Sequence, residues 1–498
     1  MNKFTIKDKW LILPIIILAA YFLFRVIDEF QMVSYFPIDN IANDYSGHMA
    51  RLYFLKEYGF HNIVPNWFNG FPILKSYPFL WHFFALPFLY IFNNVQLATL
   101  MVFLITYLLI LVVFFYIGKK ENFSKAKVIA LFLFLFANPI TISYFLRLGK
   151  VVELFGWFFF FIIFLIFLHY KNKKIDGMFI FLFTIIYTAL FYSHILVFIV
   201  ATLPVLSFFL YKEGYSNRLK IALSGILTLL LTSYFWHPLL RTANQKSIGE
   251  ITPLKWLVIS RPEYFIDKII GFALPIIFFT IFYLYLKSAD DKKKEMLFYS
   301  IPLIFYILMF LRIAPFIPFI NRPAPDSYNF MFLFFSIYMV LKIDFAFLGK
   351  KLIRARPYFL AIMAILFVIS SIIITPFFIK PTNEVNDAIK LLDYIDENNK
   401  FLLINQPFNR GAFYTYAAIY KNLSTPDGWG DEEVDVSYEK ILYSIQDSYN
   451  AGNCGKMHEA NEKMDNDYLI LFNNDCKNIK CDLKPKISLN TSCLVRLR

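Results

Sequence analysis

The sequence predicts an all-α polytopic membrane protein of about eleven transmembrane helices, followed by a small external α/β or α+β domain at the C-terminus. Three observations predict it. The 498 residues are 58% hydrophobic and only 17% charged, with a mean hydropathy of +0.54, whereas a soluble chain carries about a quarter charged residues. Apolar runs long enough to cross a bilayer recur through residues 1–379. After Phe378 the composition turns polar, and residues 380–498 are rich in Asn, Asp, Lys and Gly.

The formal charge of +13 would point to nucleic acid in a soluble chain. In a membrane chain it follows from retention of Lys and Arg in cytoplasmic loops. The 61 Phe and 32 Tyr fit a lipid-facing surface, with no basic and aromatic interleaving of a nucleic-acid kind. The expected partner is therefore the bilayer and no nucleic acid.

Lys3, Lys7 and Lys9 precede an apolar run from Trp10 to Ile27 with no small-residue cleavage site after it, so the first span reads as uncleaved. Spans are expected near 10–27, 95–117, 127–146, 152–170, 177–193, 195–211, 219–236, 268–286, 296–312, 327–343 and 358–376. Segment 78–93 is apolar but short, and it contains Pro78 and Pro87. If it does not cross, the basic loops at Lys119/Lys120, Lys171/Lys173, Lys212/Arg218, Lys292/Lys293 and Lys350/Lys351 all share the face of the N-terminus. That face is the cytoplasm. A full crossing would break the pattern at Lys119. Segment 78–93 is thus read as a re-entrant or interfacial piece of the first external loop, 28–94, and the C-terminal domain as external.

The external loops then collect the reactive side chains. Asp39, Asp44, His48 and Arg51 lie within thirteen residues of the first loop, and such groups at a bilayer edge usually mark function. If the chain is helical from Asp44, then His48 and Arg51 follow on the same face. Asp44 and Glu153, at the mouth of the fourth span, are candidates to share a divalent cation (Mg or Mn), which prefers hard oxygen ligands. Alternatively one of them acts as a base on an acceptor hydroxyl. Asp39, in a turn beside Pro37 and Asn40, is the second choice for the Asp44 role. His48 is a further ligand or a proton carrier. Arg147, Arg241 and Arg322 present planar donors suited to a phosphate, against snorkelling to headgroups. His194 and His237, at external helix ends, either line the cavity or pack through hydrogen bonds, and His82 is interfacial.

In the tail, Glu384 to Asn398 reads as a helix with Val385, Ala388, Ile389, Leu392 and Ile395 on one stripe. Strands are expected at Lys400–Asn405, Asp467–Phe472 and Leu494–Leu497. All four cysteines, Cys454, Cys476, Cys481 and Cys493, lie here, which points to disulfides in an oxidising compartment, with three pairings open. The competing metal site lacks CxxC spacing. Sequons stand at Asn422-Leu423-Ser424 and Asn490-Thr491-Ser492. No phosphate-binding Gly-rich loop, dinucleotide fingerprint, HExxH or nucleophile elbow occurs.

Asp44, His48 and Arg51, followed by Pro65-Asn66-Trp67-Phe68-Asn69-Gly70-Phe71-Pro72 and Tyr77-Pro78, resemble the first external loop of GT-C superfamily membrane glycosyltransferases. The pattern is most similar to prokaryotic membrane proteins labelled 6-pyruvoyl-tetrahydropterin-synthase-related, a label that carries no pterin chemistry here. It is more distantly similar to the catalytic subunit of oligosaccharyltransferase. The resemblance covers the first 160 residues, and the later spans only in layout. It implies that Asp44 is a catalytic or metal-binding carboxylate, Glu153 its partner and Arg322 a contact for a lipid phosphate. The chain departs from the oligosaccharyltransferase pattern in two places. Gly428-Trp429-Gly430-Asp431 is not a Trp-Trp-Asp motif, and the turn 147–153 holds one acidic residue instead of a pair. Transfer of a single sugar from a polyprenyl-phosphate-linked donor to a glycan, lipid or protein acceptor is therefore expected. The alternative is a transporter or flippase of a lipid-linked saccharide or small anion. It fits less well, because the spans are almost free of ionisable residues and show no internal repeat.

Overall fold

The computed structural model describes residues 10–38, 44–74, 77–236, 253–258, 265–343, 350–397, 399–429 and 436–497. The membrane half begins with α1 (Ile12–Glu29), and α2 (Asp44–Tyr58) follows in the first loop. A two-residue ladder of β1 (Ile63–Val64) with β2 (Phe71–Pro72) then leads into α3 (Leu80–Phe92). Next come α4 (Val95–Lys120), α5 (Lys125–Phe136), α6 (Pro139–Thr141), α7 (Val151–Tyr170), α8 (Gly177–Ser193), α9 (Ile195–Tyr211) and α10 (Tyr215–Leu231). The half closes with α11 (Phe265–Ser288), α12 (Lys292–Phe298), α13 (Ser300–Phe310), α14 (Pro325–Lys342) and α15 (Lys350–Ile374).

Every one of the eleven expected spans falls on a helix, but the helices differ in reach. Among the described residues four are long and apolar enough to cross a membrane, or five if α5 and the segment Pro139–Arg147, bent 56° apart, form one span. The others are too short or too polar: α8, α9 and α13 are apolar but have 17, 17 and 11 residues, against the ~20 that 30 Å of hydrocarbon requires. The α5–α6 bend has a local cause. Pro139 has no N–H to continue the helix, and the Asn138 side chain accepts from the Thr141 N–H at 3.1 Å to start the next turn.

Burial orders the bundle from the inside out. The apolar window of α7 is 78% buried, whereas that of α15 is 17% buried. Leu23, Ile27, Leu108, Ile369 and Ile373 are exposed on outer faces. An exposed apolar surface of that extent faces lipid. At only 13 residues with Pro87 inside, α3 is a partial helix lying against α2 and α4.

The C-terminal chain forms α16 (Asn383–Leu391), β3 (Phe401–Leu403), α17 (Arg410–Lys421), α18 (Val436–Asn450), α19 (Cys454–Met464), β4 (Tyr468–Phe472), α20 (Asn474–Lys477), β5 (Pro485–Ser488) and β6 (Ser492–Arg496). The sheet order is β3-β4-β6-β5, with β3 parallel to β4 and the other pairs antiparallel. The predicted helix is found but ends at Leu391, and a 3₁₀ turn carries Leu392 into the core. The open disulfide question resolves to Cys454–Cys481 and Cys476–Cys493.

The Pro65–Pro72 stretch joins the two halves. Thr425 N–H donates to the Asn66 carbonyl at 3.0 Å, and Asn66 Nδ2 donates to the Leu423 carbonyl at 3.2 Å. Trp67 is fully buried beside Phe54, Phe71 and Ala418. A Cβ on Gly428 would meet Trp67 at 2.7 Å.

The Cys476–Cys493 bridge closes 17 residues and anchors buried β6, so chain entropy assigns it about 3 kcal/mol. Replacing both cysteines by Ser is expected to lower the melting temperature of the purified protein under non-reducing conditions. An unchanged melting temperature would show that the bridge contributes nothing.

Candidate functional site

Three helix N-termini, each with an acid in its first turn, converge on one lysine. Asp44 starts α2, Glu153 stands in the first turn of α7, and Asp326 in the first turn of α14. The positive end of each helix dipole favours a carboxylate there. Lys150, just before α7, feels the charge of all three. Its ammonium lies 2.6 Å from Asp44 Oδ2. Burial opposes that charge, but the field and hydrogen bond of Asp44, with Glu153 and Asp326, outweigh it and hold the lysine above its usual range.

The backbone enforces the contact. The Asp44 N–H donates to the Leu148 carbonyl at 2.7 Å, so the start of α2 is tied to the turn before α7. Gly149 adopts φ +70°, and a Cβ there would fall 2.5 Å from the Tyr45 ring. Only glycine permits both the conformation and the approach. The π-helical turn Ile142–Arg147 precedes it and brings the chain round to this point.

Glu153 does not face open space. Its carboxylate accepts from Tyr144 Oη at 2.6 Å, from Ser327 Oγ at 2.8 Å and from Trp157 Nε1 at 3.3 Å. His194 Nε2 is 3.9 Å away. It is 2% exposed, so these donors replace water and fix α14 against α7. Asp44, by contrast, keeps a quarter of its side chain accessible, at the edge of a cavity of about 340 Å³. The expected sharing of a cation by Asp44 and Glu153 does not fit this arrangement: an ammonium already lies on one carboxylate and three donors occupy the other. Among the described residues no three His, Cys, Asp or Glu side chains gather where a metal ion could sit.

His48 and Arg51 follow Asp44 along α2 as expected, and both are buried. The Arg51 guanidinium stacks 4.2 Å from the Tyr77 ring centroid, while its Nε and Nη2 meet no acceptor among the described residues. His48 Nδ1 is likewise unmatched among the described residues, and the buried His82 imidazole, which hydrogen-bonds to the Pro78 backbone, lies 5.7 Å from the His48 ring. A stacked guanidinium gains about 2 kcal/mol, less than the cost of a buried charge without a counter-ion.

The remaining expectations divide. His194 reaches the cluster through Glu153 and caps α9 by accepting from the Val197 N–H at 3.3 Å. Arg147 is buried at the end of the π turn, on the Tyr45 side. Arg322 is exposed in the turn before α14. Asp39 and His237 lie outside the described residues. Sequence reasoning missed Lys150, Tyr144, Ser327 and the cluster role of His82. A lysine in a turn expected to be external, against the basic-inside bias, was the available signal for Lys150.

No protein-family model matches the chain, and no curated protein matches it by sequence. Solved structures do match. The apo oligosaccharyltransferase of Archaeoglobus fulgidus gives a TM-score of 0.58 at 11% identity, over 95% of this chain and 70% of its own. The same enzyme with Zn and sulfate gives 0.56 at 13% identity, over 93% and 68%. A mutant arabinofuranosyltransferase AftD from Mycobacteria gives 0.57 at 12% identity, over 92% of this chain and 36% of its own. The fold is thus shared with these oligosaccharyltransferase and arabinofuranosyltransferase structures.

Burial first, then the charges of Arg51, Lys150 and His194, hold the His48 imidazole well below its usual pKa. The unfolded chain binds that proton near pH 6.5, so the folded state refuses a proton that the unfolded state accepts. Stability therefore rises with pH across the interval below about 6.5. Thermal unfolding at pH 5.5 and 7.5 is expected to show a smaller pH difference in His48→Asn than in wild type. An equal difference would contradict this.

Proposed function

We propose that the protein is a membrane glycosyltransferase that moves a sugar from a polyprenyl-phosphate-linked donor to an acceptor on the external face. The chain crosses the membrane with its N-terminus cytoplasmic and its C-terminal domain outside. The observation that carries this reading is Asp44: a partly accessible carboxylate, oriented by Lys150 and bordering a cavity, within a fold shared with glycosyltransferases. The Arg51 and His48 nitrogens that meet no acceptor among the described residues support an anionic donor group, because a guanidinium pairs well with phosphate oxygens.

In the proposed step, the Asp44 carboxylate takes the proton of an acceptor hydroxyl. The acceptor oxygen bonds to the anomeric carbon of the donor sugar. The bond from that carbon to the phosphate oxygen breaks, and its electron pair leaves on the polyprenyl phosphate. Lys150 holds the Asp44 carboxylate in place, and Arg51 with the two imidazoles holds the phosphate. No step is assigned to a metal ion.

Purified wild-type and Asp44→Asn protein would be compared for transfer from radiolabelled polyprenyl-phosphate sugars. Loss of a general base costs typically 10²–10⁴-fold, so the variant is expected to lose about a hundredfold or more. Arg51→Ala is expected to raise KM for the donor. Equal turnover of wild type and Asp44→Asn would overturn the site, and no turnover with any donor would favour transport.

A further inference from the structure

We propose that the acceptor is a saccharide, bound in the cleft between α2 and the C-terminal domain; this rests on the reading of Asp44 as the base. The cleft, about 340 Å³, has Asp44 on one wall and Arg410, Asp427, Trp429, Tyr438 and Tyr443 on the other. Here the C-terminal domain and the candidate base line a common cavity.

The far wall is built and held. Arg410 Nε lies 2.6 Å from Asp427 Oδ2, and Arg410 Nη2 donates to Tyr443 Oη at 3.1 Å. Tyr438 Oη donates to the Pro426 carbonyl at 2.7 Å, fixing its ring against the loop. Trp429 lies flush between two glycines: a Cβ on Gly47 would fall 2.0 Å from its Cδ1, and one on Gly411 would fall 2.7 Å from its Cε3. Gly47 is one helical turn from Asp44, so this indole is held within a turn of the candidate base. Its helix tolerates a glycine that costs about 1 kcal/mol relative to Ala, because any side chain there would displace the indole.

The lining selects among acceptor classes. A sugar ring has C–H faces and a rim of hydroxyls. Aromatic rings that are apolar in body and polar at the tip suit the faces, while a guanidinium, carboxylates and an Asn side chain suit the rim. Leu442 is the only aliphatic side chain in the lining, which disfavours a lipid tail. A peptide strand would add to a free sheet edge, but neither edge strand, β3 or β5, lines the cleft. The cavity size is that of a small-ligand site.

The test uses the full-length protein in detergent. A panel of di- and trisaccharides of glucose, galactose, mannose, arabinose and N-acetylglucosamine would be screened by saturation-transfer NMR. At least one is expected to bind, with affinity at least tenfold weaker in Trp429→Ala and in Tyr443→Ala, and largely kept in Trp429→Phe. The exposed position of Tyr443 makes its truncation safe for folding. Absence of binding by the whole panel, or equal binding by both Ala variants, would overturn the inference. The same preparations would be offered polyprenyl-phosphate sugars. Transfer onto a peptide or lipid without saccharide binding would overturn the acceptor class and keep the glycosyltransferase reading. Cleft-dependent saccharide binding without transfer from any donor would keep the cleft and overturn that reading.

Discussion

The contact between Lys150 and Asp44 is the constraint on which the rest of the site depends. It joins the start of α2 to the start of α7, alongside the Asp44 N–H to Leu148 carbonyl bond. Three acids at three helix N-termini would repel one another, and the lysine among them makes the arrangement tolerable. Shared burial gives each acid a different role. Glu153, enclosed by donors, serves as a structural anchor of α7 and α14, and Asp44 is left as the carboxylate with access to a cavity.

The same helix α2 carries two further consequences. Its inner side places His48 and Arg51 against α3, where Arg51 Nε and Nη2 and His48 Nδ1 meet no acceptor among the described residues. Gly47, one turn from Asp44, receives Trp429 from the C-terminal domain. One short helix therefore connects a buried guanidinium and imidazole, a carboxylate and the C-terminal domain. The Pro65–Pro72 stretch that follows acts as mortar: Asn66 and Trp67 bind the loop at 422–428 and set the distance between that domain and α2.

Much of this was legible in the sequence. Helical spacing put Asp44, His48 and Arg51 on one face, and α2 carries all three. The tail strands followed from short apolar runs, and β3, β4 and β6 lie within or beside them. What was not legible depends on packing. Two carboxylates far apart in sequence looked like a shared cation site, but Ser327, 174 positions from Glu153, supplies a donor that no local pattern reveals. The spans expected at 177–193 and 195–211 coincide with α8 and α9, whereas the one expected at 296–312 runs through the break at Tyr299, and α13 covers only Ser300–Phe310. His82 read as interfacial because α3 is apolar, yet its ring faces His48 in the interior. Trp429 carried no recognised motif, and its place emerged only once Gly47 and Gly411 were seen to make room for it.

The account makes Lys150 and Asp44 a single working unit, so the most direct measurement is a double-mutant cycle on sugar transfer with Asp44→Asn, Lys150→Met and the pair. The account predicts strong non-additivity: each single variant loses most of the rate, and the double variant loses little more than the worse single one. Losses that multiply would contradict it, because Lys150 and Asp44 would then contribute independently and the contact would be incidental to the chemistry.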